Sequence, residues 1–193
     1  MDNLEYEPLD DFADVVVEKK PDVVVLIGPF VDTTNIKIQL GQIELDDGEG
    51  GMMPVTYADL FRFRVTAAVE RILGEVPGCK VLIVPSCDDA HHQCTYPQPK
   101  FDLDDLLYEG CDREMIENGV TLLPNPSVFK INEMTFGINS ADVMRHLVRE
   151  DVCRTVKVSV LLLLLLLLFA VDGIRLNTRK LMHFFFFNSC LYL

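Results

Sequence analysis

Two short, unbroken apolar runs constrain this chain more than anything else in it: VVVLI at Val23–Ile27 and VLIV at Val81–Val84. Neither alternates with polar residues, so each reads as a strand covered on both faces, as in a parallel sheet. Each is preceded by a helix signal. Leu9, Phe12, Ala13 and Val16 recur at helical spacing, Lys19 and Lys20 stand where cations favour a helix C-terminus, and Pro21 stops the segment, which predicts a helix over 8–20. Thr56 with Asp59 has the form of a capping box, and Leu60, Phe61, Val65, Ala68, Val69, Ile72 and Leu73 line one stripe as far as Gly74 and Pro77, predicting a helix over 57–73. Further on, SVFKI and MTFGI flank Asn132 and Glu133, a two-residue hairpin turn in which Asn accepts a positive φ. Asp142–Arg149 reads as a short helix. Helix and strand in alternation, closed by a hairpin, predict an α/β layered domain. Thr33–Val55 fits no element, and LDDGEGGMMP within it has the acids and glycines of an exposed insertion.

With 49% apolar residues, a chain of 193 residues has the material for a packed core and is not a disordered one. The net charge of −13 argues against a broad phosphate-gripping face and hence against direct nucleic-acid binding. The six cysteines are irregularly spaced with no leader ahead of them, so a reduced, intracellular compartment is expected.

The charge also divides the chain. Residues 157–193 hold Lys157, Arg175, Arg179 and Lys180 against Asp172, which leaves −16 on residues 1–156. Val158–Val171 has no charge and contains eight consecutive leucines, and Phe184–Phe187 is a second homopolymer. As a helix the fourteen-residue run would reach about 21 Å against a hydrocarbon core of about 30 Å, so a membrane span is not expected. Runs of Leu and Phe are what a pyrimidine-rich intron encodes when read in frame. The expectation is therefore a domain over 1–156 and an unrelated tail over 157–193 that derives from intron read-through or aberrant splicing.

Two post-strand loops could carry chemistry. GPFVD, Gly28–Asp32, follows the first strand, where α/β proteins place functional groups, but Pro29 and Phe30 offer no side-chain ligand atom and Asp32 is expected to act as a turn residue. PSCDDAHHQC, Pro85–Cys94, crowds Cys87, Asp88, Asp89, His91, His92 and Cys94 into one loop. Zinc is a candidate there, yet structural zinc sites take paired ligands from two separated places and no second Cys/His cluster is visible. The favoured expectation is a polar surface loop whose imidazoles bond backbone or carboxylates. TYPQPKF, Thr95–Phe101, should be extended and stiff, a possible docking ledge, and Asp102, Asp104 and Asp105 should begin a helix. His146 and His183 have no visible partner, and no Ser/His/Asp set, Walker loop or GxGxxG is present.

Taken together, PDVVVLIGPFVD at 21–32, VLIVPSCDDAHHQCTYPQPKF at 81–101 and LPNPSVFKINEMTFGINSADVMRHL at 123–147 resemble the DNA polymerase alpha B-subunit family, and NLEYEPLDD at 3–11 is similar too. The resemblance implies an incomplete calcineurin-like metallophosphoesterase fold, α/β and catalytically degenerate, truncated at both ends. A working enzyme of that fold would carry G-D-x-x-D where this chain has Gly28, Pro29, Phe30, Val31 and Asp32, and G-N-H-[DE] where it has Pro85, Ser86, Cys87 and Asp88. The resemblance thus assigns no catalytic, cofactor-binding or metal-ligating residue. It marks Gly28, Pro29, Phe30, Asp32, Pro85, Ser86, Asp89, His91, His92, Tyr96, Pro97 and Pro99 as structural or partner-facing. It implies a nuclear accessory scaffold that binds the catalytic subunit of DNA polymerase alpha and, through the complex, primase, with DNA met only indirectly and no cofactor. The alternatives are the corresponding accessory protein of polymerase delta or epsilon, or an active phosphoesterase using Asp32, Asp89, His91 and His92 as a relocated ligand set.

Overall fold

The computed structural model describes residues 4, 6–46, 51–142, 149–150 and 186–187. One compact unit comprises 1–141 with 183–193; of the second, 142–182, only Asp142, Arg149 and Glu150 are described.

The unit is built on β1 (Val23–Ile27), which pairs in parallel with β4 (Lys80–Val84) from Val23 opposite Lys80 to Ile27 opposite Val84. β5 (Val120–Leu122) adds in parallel to the far side of β4, and β8 (Phe186–Phe187) to the far side of β1, giving the order β5-β4-β1-β8. Both apolar runs are strands with the predicted two-sided cover. Val24, Leu26, Val81 and Ile83 face the main core, while Val25, Ile27, Leu82 and Val84 face a smaller cluster with Ile138 and Phe129. The alternation follows from the two-residue period of a strand, and apolar cover on each side is why neither face carries a polar residue.

α1 (Glu7–Lys19) lies one residue N-terminal of the predicted span and buries Leu9, Ala13 and Val16. The capping box forms at Thr56 and Asp59, but the helix behind it is not continuous. α3 (Tyr57–Phe61) passes into a π-helical turn, Arg62–Thr66, before α4 (Ala67–Glu75). The apolar residues explain the turn: Leu60 and Val65 are five apart, and an i→i+5 turn keeps both buried alongside Val69 and Ile72. Arg71 pairs with Asp14, tying α4 to α1.

Thr33–Val55 is more ordered than its composition predicts. It holds α2 (Ile36–Gln39), capped by Asn35, and the antiparallel pair β2 (Glu44–Asp46) and β3 (Met52–Pro54). Ile38, Ile43 and Leu45 anchor the segment in the core, three apolar positions that turn composition alone conceals. α5 (Leu103–Leu106) starts at Asp102 with a reciprocal cap from Asp105, as the acidic run predicts, and α6 (Arg113–Gly119) leads into β5. The hairpin is β6 (Ser127–Ile131) with β7 (Met134–Ile138), and Asn132 has φ 54° at its turn. The helix expected over Asp142–Arg149 falls largely outside the described residues. So does the leucine run; among the described residues no helix is long and apolar enough to cross a membrane. Within residues 157–193, Phe186 and Phe187 pair in parallel with Val25 and Leu26, on the side of β1 away from β4.

Candidate functional site

The loops after β1 and β4 leave adjacent parallel strands at their C-terminal ends, where open α/β sheets commonly bind ligands. They are joined by one side chain. Asp89 is 2% exposed; its Oδ1 accepts from the N–H of Phe30 and, at 3.0 Å, from that of Val31, and its Oδ2 accepts from Ser86 N–H at 2.8 Å. Backbone bonds reinforce the junction, Thr33 N–H donating to Asp88 O and Ala90 N–H to Val31 O, each at 2.9 Å. Gly28 allows the close approach: a Cβ there would lie 2.5 Å from Asp89 Oδ2 and 2.9 Å from Ser86 N. Burial pushes the Asp89 carboxyl up to about 6, against the pull of its three N–H donors.

The post-β4 loop therefore differs from the polar surface loop that its composition predicts. His91 packs against two aromatic rings that also meet each other, its centroid 4.4 Å from Phe61 and 5.2 Å from Phe101, with 28° and 7° between planes. Burial holds it down near 4, so it is neutral at physiological pH. Its two ring nitrogens meet no hydrogen-bond partner among the described residues. His92 follows the expectation, with Nε2 2.9 Å from Pro99 O, and its ring also lies 4.6 Å from Phe101. Asp32 acts as the predicted turn residue, its Oδ1 accepting from Thr34 N–H at 2.8 Å.

Phe30 packs edge-on to Phe61 at 5.5 Å, while its carbonyl accepts from the Tyr6 hydroxyl at 2.6 Å. Burial first, then the Asp89 charge, pushes the Tyr6 phenol well up, so it stays a donor. Tyr6 is a contributor that sequence reasoning missed; its place in NLEYEPLDD is the only signal that could have found it.

The Pro-flanked segment is not a free ledge. Gln98 is 1% exposed and exchanges backbone bonds with Asn125 at 2.7 and 3.0 Å, while its Nε2 donates to Ser86 O and Gln93 O, both at 2.9 Å. Asn125 Nδ2 donates to Gln98 Oε1 at 3.1 Å and to Ser140 Oγ, and its Oδ1 accepts from Ser140 N–H at 3.1 Å. Tyr96, Pro97 and Pro99 do face solvent, whereas Pro85 and Ser86 are buried. The peptide bonds before Pro29, Pro97 and Pro126 are cis. Replacing Asn125 with Ala takes a donor from the buried Gln98 Oε1 and the acceptor from Ser140 N–H. A loss of about 2 kcal/mol is expected, read as a lower urea midpoint at unchanged slope.

These residues do not fit a dinuclear metal centre. Both Asp89 oxygens are taken by backbone N–H groups, the His91 ring packs against Phe61 and Phe101, His92 faces Pro99 O, and Asp32 closes its own turn. No group of three or more His, Cys, Asp or Glu able to hold a metal ion occurs among the described residues. The relocated ligand set of Asp32, Asp89, His91 and His92 is thus dispersed into structural roles, and no hydrolytic step can be derived from it.

A parallel α/β unit whose two strand-end loops are fastened to each other through a buried carboxylate defines a class of protein: a layered domain with its strand-end loops joined by Asp89. The sequence profile of the DNA polymerase alpha/epsilon B-subunit family matches residues 1–182. The chain is 30% identical over 151 residues to the DNA polymerase alpha B subunit of Bos taurus, covering 78% of this chain and 22% of that protein. The Dictyostelium discoideum protein of the same name is 31% identical over 148 residues, 76% of this chain and 20% of the relative. That of Schizosaccharomyces pombe is 28% identical over 154 residues, 79% and 24%. The chain belongs to the DNA polymerase alpha/epsilon B-subunit family. It spans about a fifth of the length of the curated relatives it matches.

Proposed function

We propose that this chain serves as a non-catalytic scaffold in the accessory B subunit of the nuclear DNA polymerase alpha–primase complex, acting at the initiation of DNA replication. On this reading the layered α/β unit is an inactive calcineurin-like phosphoesterase fold that binds the C-terminal region of the catalytic subunit, and primase joins through the complex. The observation that carries it is Asp89, the one buried carboxylate at the strand ends among the described residues, whose oxygens accept from Phe30, Val31 and Ser86 N–H groups and so hold the loop after β1 in place. The names of the relatives support the alpha assignment. A charge of −16 on residues 1–156 opposes close approach to phosphates, which favours protein partners over direct contact with DNA.

Co-expression of the full chain with the catalytic chain of polymerase alpha, followed by affinity capture, tests this. Retention of that chain is the expected result. Failure to retain it, or capture of the delta or epsilon catalytic chain in its place, overturns the assignment. In a parallel assay with a chromogenic phosphodiester and Mn²⁺, turnover abolished by His91→Ala would restore the enzyme reading.

A further inference from the structure

Cys87 and Cys94 stand at the two ends of the loop that carries Asp89, His91 and His92, and neither the loop junction nor the scaffold role uses them. The fold brings them together through a group that is not sulfur. Gln98 Nε2 donates to Ser86 O and to Gln93 O, both at 2.9 Å, and these are the residues immediately before each cysteine. Gln98 is itself fixed, buried and holding Asn125 through its Oε1 at 3.1 Å. Both ends of the loop therefore hang on one nitrogen. Cys87 Sγ lies 3.9 Å from Gln98 Oε1, on the same side chain, and burial first, then the neighbouring Cys94, push the Cys87 thiol up.

Access is graded across the pair. Cys94 is exposed and Cys87 half-buried, so a solvent oxidant meets Cys94 first. The other described cysteines are arranged differently, Cys79 being buried and Cys111 Sγ accepting from Tyr108 N–H at 3.4 Å. Two thiols fall short of the four ligands of a structural zinc site, and no third ligand joins them among the described residues.

We propose that Cys87 and Cys94 are an oxidisable pair that closes to a reversible disulfide when the protein meets hydrogen peroxide. The Cys94 thiolate attacks one peroxide oxygen; an S–O bond forms, the O–O bond breaks, and the departing hydroxide takes up a proton as water. Cys87 then gives up its proton and its sulfur attacks the Cys94 sulfenic sulfur; the S–S bond forms, the S–O bond breaks, and a second water leaves. The two sulfurs lose two electrons and the peroxide gains them, so two thiols and one peroxide yield one disulfide and two waters. A dithiol reductant reverses the step by thiol–disulfide exchange. The closed ring includes Asp89, so oxidation fastens the loop that holds Phe30 and Val31.

The sequence supplies a clean readout, because trypsin cutting after Lys80 and Lys100 releases residues 81–100 with Cys87 and Cys94 as their only cysteines. The full chain is treated with hydrogen peroxide, its remaining thiols are alkylated, and this peptide is weighed. The expected product is unalkylated and about 2 Da lighter than the free dithiol, and dithiothreitol before alkylation returns it to the doubly alkylated form. Cys94→Ser, a change at an exposed position, should abolish the light peptide and leave Cys87 open to alkylation. The same treatment in urea should form the disulfide more slowly, since the Gln98 bridge is lost. Double alkylation after peroxide, sulfinic or sulfonic products without the light peptide, or an equal rate in urea would overturn the proposal.

Discussion

Replacing Asp89 with Ala is expected to lower stability by about 3–5 kcal/mol, the range for removing one partner from a buried, charge-assisted set. Three backbone donors, on Phe30, Val31 and Ser86, lose their acceptor at once in a place that water does not reach. The loss should appear as a fall in the urea midpoint together with faster hydrogen exchange at those three amides. Asp89→Asn separates shape from charge. Its amide oxygen can still accept from Phe30 and Val31, but its NH₂ group would face the Ser86 N–H, donor against donor. Less than half the alanine loss is expected, because the cost of burying an ionised carboxylate disappears with the charge. An alanine variant within about 0.5 kcal/mol of wild type, the usual range for a surface change, would show that the two loops are held by something else.

Phe101→Ala should be comparably damaging, by about 3–5 kcal/mol, as for other large aromatic truncations in a core. The ring is fully buried and meets Phe61 at 5.0 Å, His91 at 5.2 Å and His92 at 4.6 Å. Its loss also exposes His91 to water, which gives the variant a pH signature. In the wild type His91 stays neutral down to about 4 while the unfolded chain protonates near 6.5, so its contribution is complete above 6.5 and is lost as the pH falls towards 4. Asp89 runs the opposite way. Its folded value of about 6 exceeds the ordinary 3.8, so its contribution is complete below 3.8 and is lost as the pH rises through 6. Each shift corresponds to about 3 kcal/mol at full extent, so across pH 4–6 the contributions of these two groups largely offset each other. Phe101→Ala weakens the His91 side of that balance, and His91→Phe removes it while keeping an aromatic ring in the stack. Both variants should therefore gain stability relative to their neutral-pH value as the pH falls from 6 to 4. Thermal unfolding at several pH values would reveal it, and parallel curves for all three proteins would refute it.

Much of the architecture was legible because it is written locally. VVVLI and VLIV needed only their own apolar run, Thr56 and Asp59 only a spacing of three, and Asn132 only its place between two short strands. What escaped depends on partners far along the chain. Asp89 looks like part of a polar surface loop until Phe30 is found 59 residues away, and Gln98 looks like part of a stiff surface segment until Asn125 appears across from it. β5 is only three residues long, too short for periodicity to register, and it exists because β4 offers an edge. The π-helical turn escaped for the opposite reason, since the apolar stripe from Leu60 to Ile72 satisfies an α-helical pattern well enough to hide one extra residue. The family was legible in three motif blocks, whereas the joining of the two strand-end loops required seeing where the Asp89 oxygens are spent.

The parallel pairing of β1 with β4 has a consequence for how the protein is made. β1 leaves the ribosome well before its partner β4, and the loop behind it waits for a carboxylate 59 residues further on. At about 5–20 residues per second that interval is roughly 3–12 s, long beside the microseconds in which a helix such as α1 can form. During it the β4-facing edge of VVVLI has no β4 to pair with, so whatever covers those five residues while translation catches up bears on how much of the chain folds.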